Sequence, residues 1–230
     1  MRSSKTAATA SVLAVIGALS GSARAQDAGT AQNAGTAQDA GTAQNAGTAQ
    51  DAGAKAAPQM SAAEQEMMQK YMQAATPGPE HQKLAKLAGT WKMDVTAWMT
   101  PGAPPEKSEG TAEFKTILGG RYLLQEVKGT MGGQPFEGRG TMGFDNVTKE
   151  RFATWTDSMS TGLLVMRGKC PADAKKCTTR GQGSDAVAGK MVSFAETTTM
   201  TDDNHFTFEL RGPGPDGKQY KMMEIKYTRQ

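Results

Sequence analysis

Histidine and cysteine are nearly missing from this sequence. The two histidines are His81 and His205, and the two cysteines are Cys170 and Cys177. A Ser-His-Asp relay needs a histidine held beside a nucleophilic serine. His81 falls in a polar N-terminal helix, where it reads as helix-surface polarity, and His205 falls on the polar side of a strand. The G-x-S-x-G motif is absent. The densest run of hydroxyls and carboxylates is Trp155–Gly162, WTDSMSTG. It reads as a hairpin tip in which Asp157 and Ser158 bond their own backbone. Glu126, Glu196, Glu209 and Glu224 are scattered, and no spacing pairs two of them as acid and base. A two-cysteine metal site would need further ligands that the sequence does not offer. No catalytic residue and no metal ligand is assigned, and no cofactor is expected.

A long apolar run is lacking too. The longest apolar stretch, Ala7–Leu19, is short of the ~20 residues that span a bilayer. With Arg2 and Lys5 before it and Ala23-Arg24-Ala25 after it, residues 1–25 have the three regions of a cleavable secretory signal. The expected destination is the periplasm or the exterior, with no integral membrane segment in the mature chain. Net charge then vanishes. The whole chain carries 26 basic and 23 acidic side chains, and three of the basic ones, Arg2, Lys5 and Arg24, leave with the signal. A mature chain with no excess of cations has no basic stripe for nucleic acid or an anionic surface.

What is present comes in four parts: 1–25, 26–57, 58–76 and 77–230. Residues 26–55 repeat QDAGTA and QNAGTA at a period of six, without one large apolar side chain. Such a stretch has almost nothing to bury against its ordering entropy, so it reads as a disordered spacer. Ser61-Ala62-Ala63-Glu64 is a capping box, and a helix follows to about Ala75. Its methionines and Tyr71 read as a face packed loosely on the domain. A second short helix, Glu80–Ala88, ends at Gly89.

From Thr90 onward the period is two. Trp91, Met93, Val95 and Ala97 alternate with Lys92, Asp94 and Thr96. Similar runs are expected near 109–118, 121–130, 134–144, 150–158, 161–169, 177–183, 190–200, 204–211 and 219–229. Gly132-Gly133, Asp145-Asn146 and Pro213–Gly217 supply turns. No helical pattern separates the strands, which excludes parallel βαβ units. About ten consecutive antiparallel strands would leave long edges unless the sheet closes. The expected fold is all-β: an antiparallel barrel preceded by one or two short helices, with a two-sheet sandwich as the alternative. Phe136, Gly138, Gly140 and Met142 share a parity, as do Phe206 and Phe208, and Met223, Ile225 and Tyr227. Methionines and small residues inside a barrel can leave a cavity. Cys170 and Cys177 flank a hairpin end and should oxidise after export, restricting the unfolded chain by about 2–3 kcal/mol.

The helix followed by Gly89-Thr90-Trp91 resembles the G-x-W opening of lipocalins and other calycins. That resemblance implies a tryptophan plugging one barrel end, crossed by a basic residue of the last strand, here Arg229. Longer stretches, PGPEHQKLAKLAGTW, ILGGRYLLQE, GTMGGQPFEGRGTMGFDN and YKMMEIKYTR, resemble the bacterial domain-of-unknown-function family 1579 over about Pro77–Arg229. That family is thought calycin-like and brings no established activity. Haem-binding nitrobindins open similarly, but carry further glycines after the tryptophan and a histidine on the final strand. Residues 219–230 hold no histidine.

Three functions stay open. The favoured one is a binding module for a small apolar or amphipathic ligand, contacted by Trp91, Met93, Phe114, Phe136, Met142, Trp155, Asp157, Met223 and Tyr227. The others are an envelope interaction protein with a filled barrel, and a hydrolase or isomerase of unrecognised type.

Overall fold

Ten strands follow one another around a closed barrel. The computed structural model describes residues 60–171 and 174–230, so the expected signal peptide and repeat spacer lie outside the described residues. The strands are β1 (Gly89–Ala97), β2 (Glu106–Ile117), β3 (Tyr122–Met131), β4 (Gln134–Asp145), β5 (Glu150–Asp157), β6 (Leu164–Gly168), β7 (Lys176–Asp185), β8 (Lys190–Met200), β9 (His205–Pro213) and β10 (Gln219–Arg229). Each pairs antiparallel with its sequence neighbours, and β1 closes the sheet by pairing with β10, Trp91 opposite Arg229. The turns do what their residues predict. Gly132 and Gly133 both take positive φ, as a two-residue hairpin turn matched to strand twist requires. One expectation shifts. β6 begins at Leu164 rather than at 161, because Asp157 accepts the Met159 N–H and Ser158 pairs with Glu137, which holds this segment as a loop.

Two helices precede the barrel, α1 (Ala62–Ala75) and α2 (Pro79–Ala85). The capping box forms on α1: the Glu64 N–H donates to Ser61 Oγ at 3.3 Å, and the Ser61 N–H donates to Glu64 Oε2 at 2.7 Å. Among the described residues the expected packing of the α1 methionine face is not found. None of its residues is buried, and Met67, Met68, Tyr71 and Met72 are exposed. What ties α1 down is polar. Asn146 Nδ2 donates to the carbonyls of Ala74 at 3.1 Å and Thr76 at 2.8 Å, at the helix end where carbonyls lack partners.

His81 also departs from expectation. It is buried, not on the helix surface, and packs edge-on against Phe144 with ring centroids 5.9 Å apart. Its Nδ1 accepts the Gly78 N–H at 3.0 Å, which caps α2 where glycine has no side chain to do so. The β4 residue Phe144 thereby anchors α2 across the barrel end.

That end is plugged by Trp91. Its ring is fully buried, and its Nε1–H donates to the Leu87 carbonyl at 2.8 Å. Phe206 meets it edge-on at 4.8 Å, and Phe114 and Tyr227 continue the cluster. The Arg229 guanidinium lies 4.2 Å over the indole and donates to the carbonyls of Lys86, Ala88 and Asp203. Gly89, at φ 127°, sits where a Cβ would crowd that guanidinium. Cys170 and Cys177 are bonded, with Cα atoms 5.3 Å apart, and close the loop between β6 and β7.

Candidate functional site

Alternation along ten strands decides which side chains enter the barrel, and some of them are small. Gly138 and Gly140 on β4 have no Cβ where the Trp155 indole of β5 lies, and a Cβ at Gly138 would overlap that ring. Trp155 Nε1 donates to Asp157 Oδ2 at 2.9 Å, which fixes the indole inside the barrel near one mouth. Methionines and aromatics are prominent in the remaining inner wall. It leaves a cavity of about 220 Å³, lined by Met93, Phe114, Phe136, Met142, Trp155, Asp157, Met223 and Tyr227 among others. These eight are the expected ligand contacts apart from Trp91. Trp91 does not line the cavity: its ring is sealed beneath, between Leu87, Phe114 and Phe206, and supports the cavity floor instead.

A second cleft of about 480 Å³ opens at the α2 end, beside the disulfide. Leu87, Met142, Ala153, Glu196 and Thr198 belong to the walls of both spaces, so cavity and cleft adjoin. Ligand sites usually span ~300–1,000 Å³. The inner cavity alone is smaller than that, and the cleft extends it.

Glu196 is the functional candidate that sequence reasoning missed. It sits in β8 on the inner parity with Val192, Phe194, Thr198 and Met200, and it borders both spaces. Among the described residues no cation and no hydrogen bond offsets its charge, and burial alone pushes the carboxyl up from 4.5 to about 7. By accessible surface Glu196 is only half-buried, because part of it faces the cavity and the cleft rather than protein. Folding raises this pKa, so between those two values the folded chain binds more protons than the unfolded one. Glu196 therefore weakens the fold as pH rises through that window. The signal was available, since the same period-two count that turns Phe194 inward turns Glu196 inward.

Polar neighbours complete the site. Thr179 lies directly opposite Glu196 across the β7–β8 ladder, is 7% exposed, and its buried Oγ1 has no hydrogen-bond partner among the described residues. Gln125 Nε2 donates to the Tyr227 hydroxyl at 3.2 Å. Burial raises the Tyr227 pKa, against the Gln125 hydrogen bond and with help from the Glu196 charge, so the phenol stays protonated. In the cleft, Arg151 donates to Glu80 Oε2 at 3.0 Å, and Lys83 meets Glu80 Oε1 at 2.8 Å. Burial alone would raise the Glu80 carboxyl; the hydrogen bonds and charges of Lys83 and Arg151 outweigh it and hold it below the ordinary value. Among the described residues the buried Arg151 Nε has no hydrogen-bond partner. The hydroxyl-rich run Trp155–Gly162 acts mainly as turn chemistry, and only its Trp155, Asp157 and Met159 reach the cavity wall. His205 is exposed and lines neither space, although its partner Asp202 stands on the wall of the cleft. Among the described residues no group of three or more His, Cys, Asp or Glu could hold a metal ion. No helix among them is long and apolar enough to cross a membrane.

Comparison with known proteins bears on the fold. No curated protein matches the sequence. Among solved structures, Rv2717c from M. tuberculosis aligns with a TM-score of 0.52 and 16% identity, over 67% of this chain and 99% of that one. A de novo designed fluorescence-activating β-barrel aligns with a TM-score of 0.37 and 15% identity, over 67% of this chain and 100% of that one. A redesigned barrel, mFAP0, bound to DFHBI, aligns at 0.34 and 16%, over 63% and 99%. At these identities the likeness to Rv2717c speaks for the fold alone. The family model described as "Protein of unknown function (DUF1579)" matches residues 76–229, which cover α2 and all ten strands, and the chain belongs to that family.

Proposed function

We propose that this chain is an exported binding module that holds a small apolar or amphipathic molecule inside its barrel. The observation that carries this reading is the space left between inward methionines and aromatics, continued by the cleft beneath α2. An unfilled apolar space in a protein interior forfeits packing contacts, which a ligand can restore. Export is supported by the Cys170–Cys177 bond, since disulfides persist in oxidising compartments. A perturbed carboxyl in a cavity also suits acid–base chemistry. Here it faces Thr179 and Leu210 on the neighbouring strands, Asp157 on the same cavity wall is held by Trp155, and among the described residues no histidine lines either space, which favours binding over catalysis.

The exposed Met67, Met68, Tyr71 and Met72 of α1 support a second, compatible role, because methionine-rich faces adapt to varied partner surfaces. The binding reading is tested by native mass spectrometry of the chain purified without denaturant from the compartment to which it is exported. A discrete added mass, lost on denaturation, is expected. A uniformly unliganded mass in every preparation would count against it.

A further inference from the structure

We propose that Glu196, with Thr179 and Thr198, forms a polar anchor inside the barrel for the ammonium group of an amphipathic amine, whose apolar body fills the methionine- and aromatic-lined cavity. The inference rests on the binding reading above and names its ligand class. Its geometry comes from two adjacent strands. β8 sends Glu196 and Thr198 inward two positions apart, and β7 sets Thr179 opposite Glu196. Cross-strand partners have Cβ atoms about 4.5–5.5 Å apart, so Thr179 Oγ1, unpartnered among the described residues, and the Glu196 carboxylate belong to neighbouring side chains. A carboxylate and two hydroxyls can accept the three N–H bonds of a primary ammonium.

The chemistry selects against other head groups. A ligand carboxylate would bring a second negative charge to a buried one. An alcohol would leave the ionised Glu196 without a counter-charge. A bound ammonium offsets it, and burial makes the pairing specific because either charge alone is costly there. The wall beyond is suited to the remainder: Phe208 and Leu210 on β9 lie opposite Thr198 and Glu196. Other charged groups face these spaces from each packed element. The cleft carries Lys83 of α2, Lys86 just after it, Arg151 of β5, and Lys175, Asp202 and Asp203 from the adjoining loops. The inner cavity carries Tyr227 of β10, with Asp157 of β5 and Glu109 of β2, which pairs with Lys92, also on its wall. Arg151 and Lys83 are engaged with Glu80, and Asp157 with Trp155.

The test is calorimetric titration of the full chain with decylamine, decanol and decanoate at about pH 6 and about pH 8. Decylamine affinity should rise roughly tenfold between these values, following the ionised fraction of a carboxyl titrating near the middle of that window. Decanoate should not rise. At the higher pH decylamine should exceed decanol by roughly tenfold or more, and Glu196→Gln should erase that preference and the pH step while still binding decanol. On the unaltered chain, decylamine should lower the midpoint of the Glu196 carboxyl ¹³C titration, a readout independent of how the variant folds. Equal binding of decylamine and decanol, a preference that survives Glu196→Gln, or an unmoved carboxyl midpoint would overturn the amine assignment and leave the binding module standing. Failure of all three probes to bind would overturn the binding module itself.

Discussion

Trp91→Ala is expected to destabilise the barrel by about 3–5 kcal/mol, the range for emptying a large buried aromatic site. The ring is fully buried, and four separate interactions converge on it: the Leu87 carbonyl, Phe114, Phe206 and the Arg229 guanidinium. The site cannot collapse easily, because Arg229 is held by three carbonyls, two from the turn after α2 and one from the β8–β9 loop. Removing the indole also strips the guanidinium of the face it covers, worth a further ~0.5–2 kcal/mol. Trp98 provides the comparison. It follows the end of β1, is only partly buried, and Lys221 lies 4.9 Å over its ring. Trp98→Ala should therefore cost much less. Urea melts of the two variants decide the matter. Equal losses, or the larger loss at Trp98, would show that the inward face of β1 has been wrongly assigned.

Gly181→Ala should be nearly as damaging, for the opposite reason. A Cβ at Gly181 would overlap the carbonyl oxygen of Val165 on the neighbouring strand, and that atom is backbone. The Met166 sulfur lies close behind it, so neither atom offers an easy escape. The β6–β7 ladder pairs only Val165–Gln182, Met166–Gly181 and Arg167–Arg180, so there is little sheet on either side to absorb a shift. Overpacking of this kind costs about 1–3 kcal/mol and sometimes more. We expect about 3 kcal/mol, with amide exchange accelerated in β6 and β7 before the rest of the barrel. A variant within about 0.5 kcal/mol of the parent, as for an ordinary surface change, would mean that the two strands are not in this register.

The architecture was legible because its signals are local. Gly132-Gly133 and Asp145-Asn146 mark turns in one or two residues, and alternation such as Trp91, Met93, Val95 needs only the next residue to be read. The plug was legible for a different reason: Gly89-Thr90-Trp91 and Arg229 belong to a recurrent pattern, and β1–β10 pairing brings its two halves together. What stayed hidden depends on non-local contacts. The empty positions at Gly138 and Gly140 mean something only once Trp155 is known to lie across them. His81 looked like surface polarity because Phe144, which covers it, is far along the chain. The methionines of α1 looked like packing, yet among the described residues none of them is buried. Glu196 was dismissed for want of an acid–base partner, although its parity with Phe194 already placed it inside. Its weight comes from what is absent around it, and sequence spacing does not register an absence.

The claim on which the rest depends is that the inner cavity accepts a ligand, and Ala153 allows it to be tested directly. Ala153 lines both the cavity and the cleft, where they adjoin. Calorimetry of decanol, a neutral probe, on the parent and on Ala153→Phe is the measurement. The parent should show one saturable site with a negative heat-capacity change, the mark of apolar surface leaving water. Ala153→Phe, with a cooperative melt confirming its fold, should lose that site because the new ring occupies it. Absence of saturable binding in the parent, or undiminished binding in a folded Ala153→Phe, would contradict the account.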